Sequence, residues 1–261
     1  MLSQLSRLRA ANSALFGNIR SRLSPNRSSR RGAKILGAVV HTTESSPGSL
    51  DGVVSYLCNP RVEVSSHYVV GDKEVGHSGW TEVVRLVGEG EKAWTARSAN
   101  PYFVQYENVG RASESRAGWM AKKAQLHTLA ALIAEDSLQY GFPVRRSVPG
   151  IVGHGDLARF GYPNDHTDPG PNFPWDYFLN LVYSYATESP RRPPVKNKPV
   201  ALDESFWKWV RWWRGTGEFT KSGPRNKTVR PNVGFGGKGQ KPVPKRWWNR
   251  LKLNIRGGQN K

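Results

Sequence analysis

The chain has 261 residues, which is enough for one ordinary domain with extensions or for two small domains. Its only cysteine, Cys58, excludes an intramolecular disulfide and a Cys-x-x-Cys site, so His and carboxylate side chains must hold any metal. The net charge of +19 is concentrated at the ends: residues 1–34 carry eight Arg or Lys and no acid, residues 190–261 carry a net +16, and the residues between them carry a net −5. Such cationic ends indicate a polyanionic partner, whether nucleic acid, anionic lipid or a phosphate-bearing cell wall.

The first predicted segment is a basic arm over residues 1–32. Its apolar residues recur at helical spacing, which indicates a weak helix before Pro25: Leu2, Leu5, Leu8, Leu15, Phe16 and Ile19. Two interpretations of this arm stay open, a flexible extension and a helix that lies on a membrane surface. Arginines interrupt the apolar positions, so we do not expect a secretory signal peptide. No apolar run in the chain approaches the ~20 residues that span a bilayer.

Residues 33–186 are predicted to form an α/β domain in which helices flank a central mixed β-sheet. Apolar runs rich in β-branched residues predict strands at three places: residues 34–41, residues 102–107 and the short segment before His154. Apolar periodicity predicts two helices, over residues 120–140 and 173–186. Residues 65–78 are predicted as a hairpin with Gly71 and Asp72 at its turn. Two further histidines, His77 and His127, are interpreted as surface residues.

The C-terminal quarter of the chain differs in composition from the predicted domain. Residues 187–203 form a Pro-rich basic linker, and residues 204–261 form a basic, Trp-rich tail with six of the ten tryptophans in two clusters, 206–214 and 245–252. Three binding interpretations stay open: an anionic cell wall, a membrane surface, or single-stranded nucleic acid. A small Trp-centred unit that packs on the upstream domain is the structural alternative.

Three residues of the predicted domain have the chemistry of a hydrolytic zinc site, which needs three protein ligands and an open fourth position. His41 and His154 each follow a short apolar strand, so a sheet can bring them together. Asp168 lies in a loop stiffened by three prolines. Two neutral imidazoles and one carboxylate suit Zn²⁺. Spacing alone does not decide the matter, because a histidine after a strand is more often a structural residue.

The order of the sequence motifs along the chain is more specific than the spacing of these three residues. The chain contains VVHTTE, SSHYVV, a glutamate-bearing strand preceded by Asn-Pro, a long helix, IVGHGDL and HTDPGPNFPWDYF, in that order. This series resembles the type 2 N-acetylmuramoyl-L-alanine amidase family, which includes phage lysozyme-like endolysins, cell-wall recycling amidases and animal peptidoglycan recognition proteins. The resemblance covers residues 33–185, and IVGHGDL and TDPGPNFPW are its most specific parts.

The resemblance implies a role for each candidate residue. It places the zinc ligands at His41, His154 and Asp168, and the general base at Glu107 in VQYENVG. It places the cation that stabilises the oxyanion at His166. The implied reaction is hydrolysis of the amide between the lactyl group of N-acetylmuramic acid and L-alanine of the peptidoglycan stem.

The chain departs from the family pattern at three positions. Thr42 follows the first ligand where many members have a second histidine, and Thr95 stands where a histidine commonly lies near the substrate. His166 replaces a lysine, so its charge near pH 7 depends on its surroundings. We therefore expect activity to fall at alkaline pH more than in a relative with lysine. His67 matches a family histidine that lies near the site without being a ligand.

The resemblance and the charge pattern together predict a phage endolysin that acts as a monomer. We expect it in the host cytoplasm before its release to the wall, with residues 190–261 bound to anionic wall polymers or to the membrane surface. A virion-borne wall hydrolase stays open. Two rival functions also stay open: a peptidoglycan-recognition protein without catalysis, and a nucleic-acid-binding protein that acts through its basic arms.

Overall fold

A computed structural model describes residues 3–187, and the tail predicted for 204–261 and almost all of the linker lie outside these residues. Eight strands are present in this part of the chain: β1 (Arg20–Ser21), β2 (Arg27–Ser29), β3 (Gly37–Thr42), β4 (Tyr68–Glu74), β5 (Thr81–Arg85), β6 (Glu91–Ala93), β7 (Phe103–Asn108) and β8 (Gly150–Gly153). Six of them form one sheet in the order β1-β5-β4-β7-β3-β8. Only the β4–β5 pair is antiparallel within this sheet, which confirms the predicted mixed α/β architecture.

Helices cover both faces of the sheet. The α-helices of the described residues are α1 (Gln4–Ala11), α2 (Ser13–Phe16), α3 (Leu50–Leu57), α4 (Arg116–Ala121), α5 (Lys123–Tyr140) and α6 (Trp175–Thr187). The two predicted helices correspond to α5 and α6, although the first begins only at Lys123 because residues 120–121 belong to α4. As expected, α5 ends before Gly141, whose φ of 74° is in the left-handed region that favours glycine. Within residues 3–187, no helix combines the length and the apolar character needed to cross a membrane.

The strand residues alternate between two apolar layers, because successive side chains point to opposite faces of a sheet. Ala38, Val40 and Tyr106 lie in the layer under α5 and α6. Val39 and Phe103 lie on the other face, beside the 3₁₀ turn that follows β8. Because His41 has the same parity as Val39, its side chain projects from the face that α5 does not cover, and this face holds the candidate site.

The N-terminal segment differs from the separate basic arm expected from its charge. The helical prediction for it is confirmed by α1 and α2, but Leu8 and Leu15 are buried in the core beneath these helices. β1 then pairs with β5, and β2 pairs antiparallel with β6. Several arginines of the segment have partners within the domain: Arg9 contacts Glu135 at 2.5 Å, and the buried Arg30 donates to the carbonyl of Glu89. The segment is part of the fold, and a flexible or membrane-bound arm is the wrong interpretation of residues 3–29.

The hairpin predicted over residues 65–78 is wrong, because most of this range is the single strand β4 and its antiparallel partner β5 begins only at Thr81. Gly71 and Asp72 are inside β4, at a bulge where the β4–β5 register shifts between Val70 and Glu74. The chain reverses after Val75, whose N–H donates to the carbonyl of Trp80. A Gly-Asp pair supplies a turn in many hairpins, but the same flexibility also suits a bulge.

Candidate metal centre

Three side chains from distant parts of the chain meet at one edge of the sheet. His41 lies in β3, His154 follows β8 directly, and Asp168 lies in the loop before α6. Nδ1 of His41 is 3.1 Å from Nδ1 of His154 and 3.2 Å from Oδ2 of Asp168. Nδ1 of His154 is 3.3 Å from Oδ1 of Asp168. All three residues are buried, and in the described part of the chain they form the one His/Cys/Asp/Glu cluster that could hold a metal ion.

The parallel strands explain why the two histidines meet. β8 pairs with β3 in parallel, so the carboxyl ends of both strands lie at the same edge, where α/β folds commonly bind ligands. The glycines on either side of His154 allow the loop that carries Asp168 to approach closely. A Cβ at Gly153 would lie 2.6 Å from Cδ of Pro169, and a Cβ at Gly155 would lie 3.0 Å from Cα of Thr167. The two glycines of IVGHGDL therefore let the loop approach the strand end closely enough to bring in its carboxylate.

At neutral pH, two of the three residues are in the protonation state that a metal ligand needs. Burial lowers the pKa of His154 to about 4, which leaves its imidazole neutral at pH 7. Burial would raise the pKa of Asp168, but hydrogen bonds from both histidines outweigh it and hold this pKa well below its usual range. Burial would lower the pKa of His41, whereas Asp168 and Glu107 raise it to a net value above normal. A proton and a metal ion therefore compete for Nδ1 of His41.

The donor set and its geometry fit zinc. Bonds of about 2.0 Å from a tetrahedral Zn²⁺ place its ligand atoms about 3.3 Å apart. The two Nδ1 atoms are 3.1 Å apart, and they lie 3.2 Å and 3.3 Å from different oxygens of Asp168, so each imidazole is at about this separation from one carboxylate oxygen. Two imidazoles and one carboxylate leave one tetrahedral position open, as in catalytic zinc sites. The predicted ligand set thus converges as a buried cluster with the donor chemistry of a zinc site.

Glu107 lies next to the cluster, on the neighbouring strand. Its Cα is paired with that of His41 across β3 and β7, so both side chains project from the same face. Oε2 of Glu107 is buried and has no hydrogen-bond partner among residues 3–187. Burial raises the pKa of Glu107 to about 7, and the charges of Asp168 and Glu44 act in the same direction against that of His41. In the metal-free protein, the carboxylate of Glu107 therefore gains or loses its proton near neutral pH.

His166 lies at the open side of the cluster. Its ring stacks on that of His154, with 3.9 Å between the ring centroids and 16° between the planes. Nδ1 of His166 is 3.6 Å from Oδ1 of Asp168, and half of the His166 side chain is exposed. The structure therefore brings all five predicted site residues together, with His166 as the member most open to solvent.

Comparison with known proteins identifies the family. Residues 31–171 match the family model described as N-acetylmuramoyl-L-alanine amidase. The chain belongs to the N-acetylmuramoyl-L-alanine amidase family. A curated relative, N-acetylmuramoyl-L-alanine amidase A of Achromobacter lyticus, is 30% identical over 156 residues, which cover 55% of this chain and 81% of that protein. This membership makes the protein an amidase that hydrolyses an amide of peptidoglycan.

A solved structure supports the fold of the amidase. The Staphylococcus aureus hydrolase AmiA, crystallised with its ligand, superposes with a TM-score of 0.52. The match covers 68% of this chain and 90% of that protein at 18% sequence identity. At that identity the likeness concerns the fold, the mixed sheet with flanking helices described above.

Of the departures from the family pattern, Thr42 contacts the centre of the amidase through its N–H, which donates to Oδ2 of Asp168 at 3.3 Å. The hydroxyl of Thr95 donates to the carbonyl of Ser65, so it is held by the main chain. Two residues further on, Arg97 has a φ of 50° and pairs with Asp165 at 2.8 Å, on the loop that carries His166. His67 is buried and, as expected from the resemblance, does not belong to the ligand set.

The sequence interpretation missed one residue that contacts a ligand, and it wrongly placed one histidine at the surface. Oε1 of Gln105 lies 2.8 Å from Nε2 of His41, and both side chains are buried. Strand alternation could have identified it, because a polar residue two positions before Glu107 shares its face. His127, interpreted as a surface residue, is buried on α5 with Nδ1 2.8 Å from the hydroxyl of Tyr185.

Proposed function

We propose that the amidase is zinc-dependent and cleaves the amide between the lactyl group of N-acetylmuramic acid and L-alanine. The observation that carries this proposal is the convergence of His41, His154 and Asp168, whose ligand atoms all lie within 4.8 Å of one another. Zinc held there supplies a Lewis acid that polarises the scissile carbonyl and lowers the pKa of water at the open position toward ~7.

Of the remaining residues of the centre, one transfers the proton and the other stabilises the developing negative charge. Glu107 takes the proton of the attacking water on its carboxylate and returns it to the leaving amine of L-alanine. Its unpartnered Oε2 and its pKa of about 7 support this role, since both ionisation states are accessible near neutral pH. His166, stacked on His154 at the open side, supplies a ring N–H to the carbonyl oxygen as negative charge develops there.

The biological setting that we propose is that of a phage endolysin, which waits in the host cytoplasm and reaches the wall at lysis. The cationic, Trp-rich residues 190–261 support delivery to an anionic envelope, because their net charge of +16 favours wall polymers or anionic lipid. In this setting, the tail binds the envelope and the amidase domain hydrolyses the wall.

The proposed reaction is tested on purified sacculi. The zinc-loaded protein should release new amino groups from them, and a chelator should reduce that release at least ~100-fold until zinc is restored. Because a proton competes for Nδ1 of His41, the chelator should remove the metal more readily at pH 5 than at pH 8. Release that continues at full rate in metal-free protein would exclude zinc dependence. Binding to sacculi without any release of amino groups would instead support the rival function, a peptidoglycan-recognition protein without catalysis.

The role of the tail is tested by deleting residues 190–261. We expect the shortened protein to hydrolyse soluble muropeptide at the rate of the full chain and to lose its attachment to whole envelopes. Co-sedimentation of the full chain with sacculi, with anionic vesicles and with single-stranded DNA then identifies the partner that the tail prefers. Salt dependence is not a useful readout here, because all three interactions weaken with salt. Equal attachment of both proteins to every partner would contradict an envelope-binding tail.

A further inference from the structure

A buried glutamine contacts the first ligand of the centre on the side away from Asp168. Nε2 of His41 and Oε1 of Gln105 are 2.8 Å apart, and Gln105 is fully buried in β7. An amide oxygen only accepts hydrogen bonds, so the proton of this contact lies on Nε2 of His41. The lone pair of the neutral ring is then on Nδ1, the atom that faces His154 and Asp168.

We propose that Gln105 is a positioning residue that fixes the tautomer and the ring orientation of His41 and thereby presents Nδ1 to the metal. The inference rests on the proposed zinc site. Metal-binding histidines commonly donate their second N–H to an acceptor, which sets the tautomer and raises the basicity of the ligand atom. The opposite orientation of the amide would place an N–H₂ group against Nε2, and the ring proton would then lie on Nδ1, where it blocks the ligand position.

The surroundings hold Gln105 in place. Its backbone N–H donates to Nδ1 of His67 at 3.0 Å. Its carbonyl accepts from the hydroxyl of Ser66 at 2.8 Å and from the N–H of His67 at 3.2 Å. Burial and the nearby charge of Arg30 lower the pKa of His67 to about 3, so this ring stays neutral and able to accept.

The other end of the same amide indicates a function beyond packing. Nε2 of Gln105 is buried and has no hydrogen-bond partner in the described part of the chain. An unsatisfied donor in the core is unfavourable, and an apolar side chain of similar size would avoid it. Among the described residues, the contact with His41 is the side-chain hydrogen bond that explains a polar residue at this place in the strand.

Two substitutions in the full chain test the proposal. Gln105→Met keeps the approximate volume and removes the acceptor, whereas Gln105→Glu keeps an acceptor at the same place. Gln125→Met is the matched control, because Gln125 is equally buried and its amide donates only to the main-chain carbonyls of Val70 and Val109. The zinc dissociation constant is measured by chelator competition. The visible absorption of the cobalt-substituted proteins reports the geometry at the metal, and thermal unfolding reports the fold.

We expect Gln105→Met to weaken zinc binding 10–100-fold and to alter the cobalt spectrum. Gln105→Glu should bind zinc at least as tightly as the unmodified chain, and Gln125→Met should change unfolding without changing the dissociation constant. Zinc affinity of Gln105→Met within twofold of the unmodified chain would overturn the inference. If that variant does not fold, weaker binding by Gln105→Glu would overturn it independently. Failure of the unmodified chain to bind zinc would instead contradict the proposed function.

Discussion

Replacing Asp168 with alanine is expected to empty the centre of zinc and to abolish turnover. The substitution removes the only carboxylate of the ligand set and leaves two imidazoles, which cannot complete the site. Loss of a residue that merely supports a ligand weakens metal binding 10–100-fold, so loss of the ligand itself should exceed ~100-fold. Zinc content by atomic absorption and amino-group release from sacculi, measured on the same sample, check both effects together.

Asp165→Ala supplies the matched control for this substitution. Asp165 lies three residues earlier in the same loop, but its side chain is largely exposed and pairs with Arg97. This variant should keep its zinc, because none of the three ligand atoms is changed. If Asp168→Ala retained full zinc and full turnover, the assignment of the centre would be wrong, whatever the control showed.

Replacing Glu107 with glutamine is expected to separate catalysis from metal binding. The amide keeps the shape of the side chain but cannot take a proton from water, so kcat should fall by ~10²–10⁴. Zinc content should stay unchanged, because Glu107 is outside the ligand set. A comparable loss of kcat in Glu82→Gln, a surface glutamate of β5 that pairs with Arg20, would contradict the specific role of Glu107.

The raised pKa of Glu107 also predicts the pH dependence of activity. The basic form of the carboxylate is lost as pH falls through a pKa of about 7, so kcat/KM should decline on the acid side. A bound divalent cation favours the charged carboxylate and moves this decline to lower pH. In Glu107→Gln, the residual activity should lack this acid-side decline. A pH profile of the variant parallel to that of the unmodified protein would show that another group causes it.

The same substitution should stabilise the metal-free protein at alkaline pH. Because the pKa of Glu107 is about 7 when folded and about 4.3 when unfolded, folding becomes less favourable as pH rises between these values. The full effect, at most about 4 kcal/mol, is reached above pH ~7 and is absent below pH ~4. Glutamine has no charge to bury, so the variant should unfold at a higher temperature than the unmodified chain at pH 8, with no gain at pH 4.

The sequence alone predicted the parts of the centre that depend on strands. The apolar runs before His41 and His154 identify two strands whose ends carry ligands, and both are present as β3 and β8. Their convergence with Asp168, which lies in a loop with no periodic pattern, depended on the order of the family motifs. A pattern of apolar residues determines which face a side chain occupies, but it does not determine which distant loop reaches that face.

Composition was a poor guide to the N-terminal segment. Eight basic residues without an acid predict a solvated arm, yet Arg30 is buried and donates to the main-chain carbonyls of Glu89, Pro101 and Phe103. Carbonyl acceptors of this kind satisfy a guanidinium without any acidic residue, and they leave no signal in the charge count. Gln105 was missed for a different reason: strand alternation places it on the face of Glu107, but its partner, His41, is 64 residues away and the sequence does not show that the two meet.

The pairing of β1 with β5 has a consequence for how the domain is delimited. The family match begins at residue 31, after β1, β2 and both N-terminal helices. A chain shortened to that boundary would turn β5 into an open edge with unpaired main-chain groups, and it would uncover the apolar surface beneath Leu8 and Leu15. Bare edges and exposed apolar patches promote strand addition between molecules, so the truncated enzyme would be prone to aggregate even with an intact metal centre.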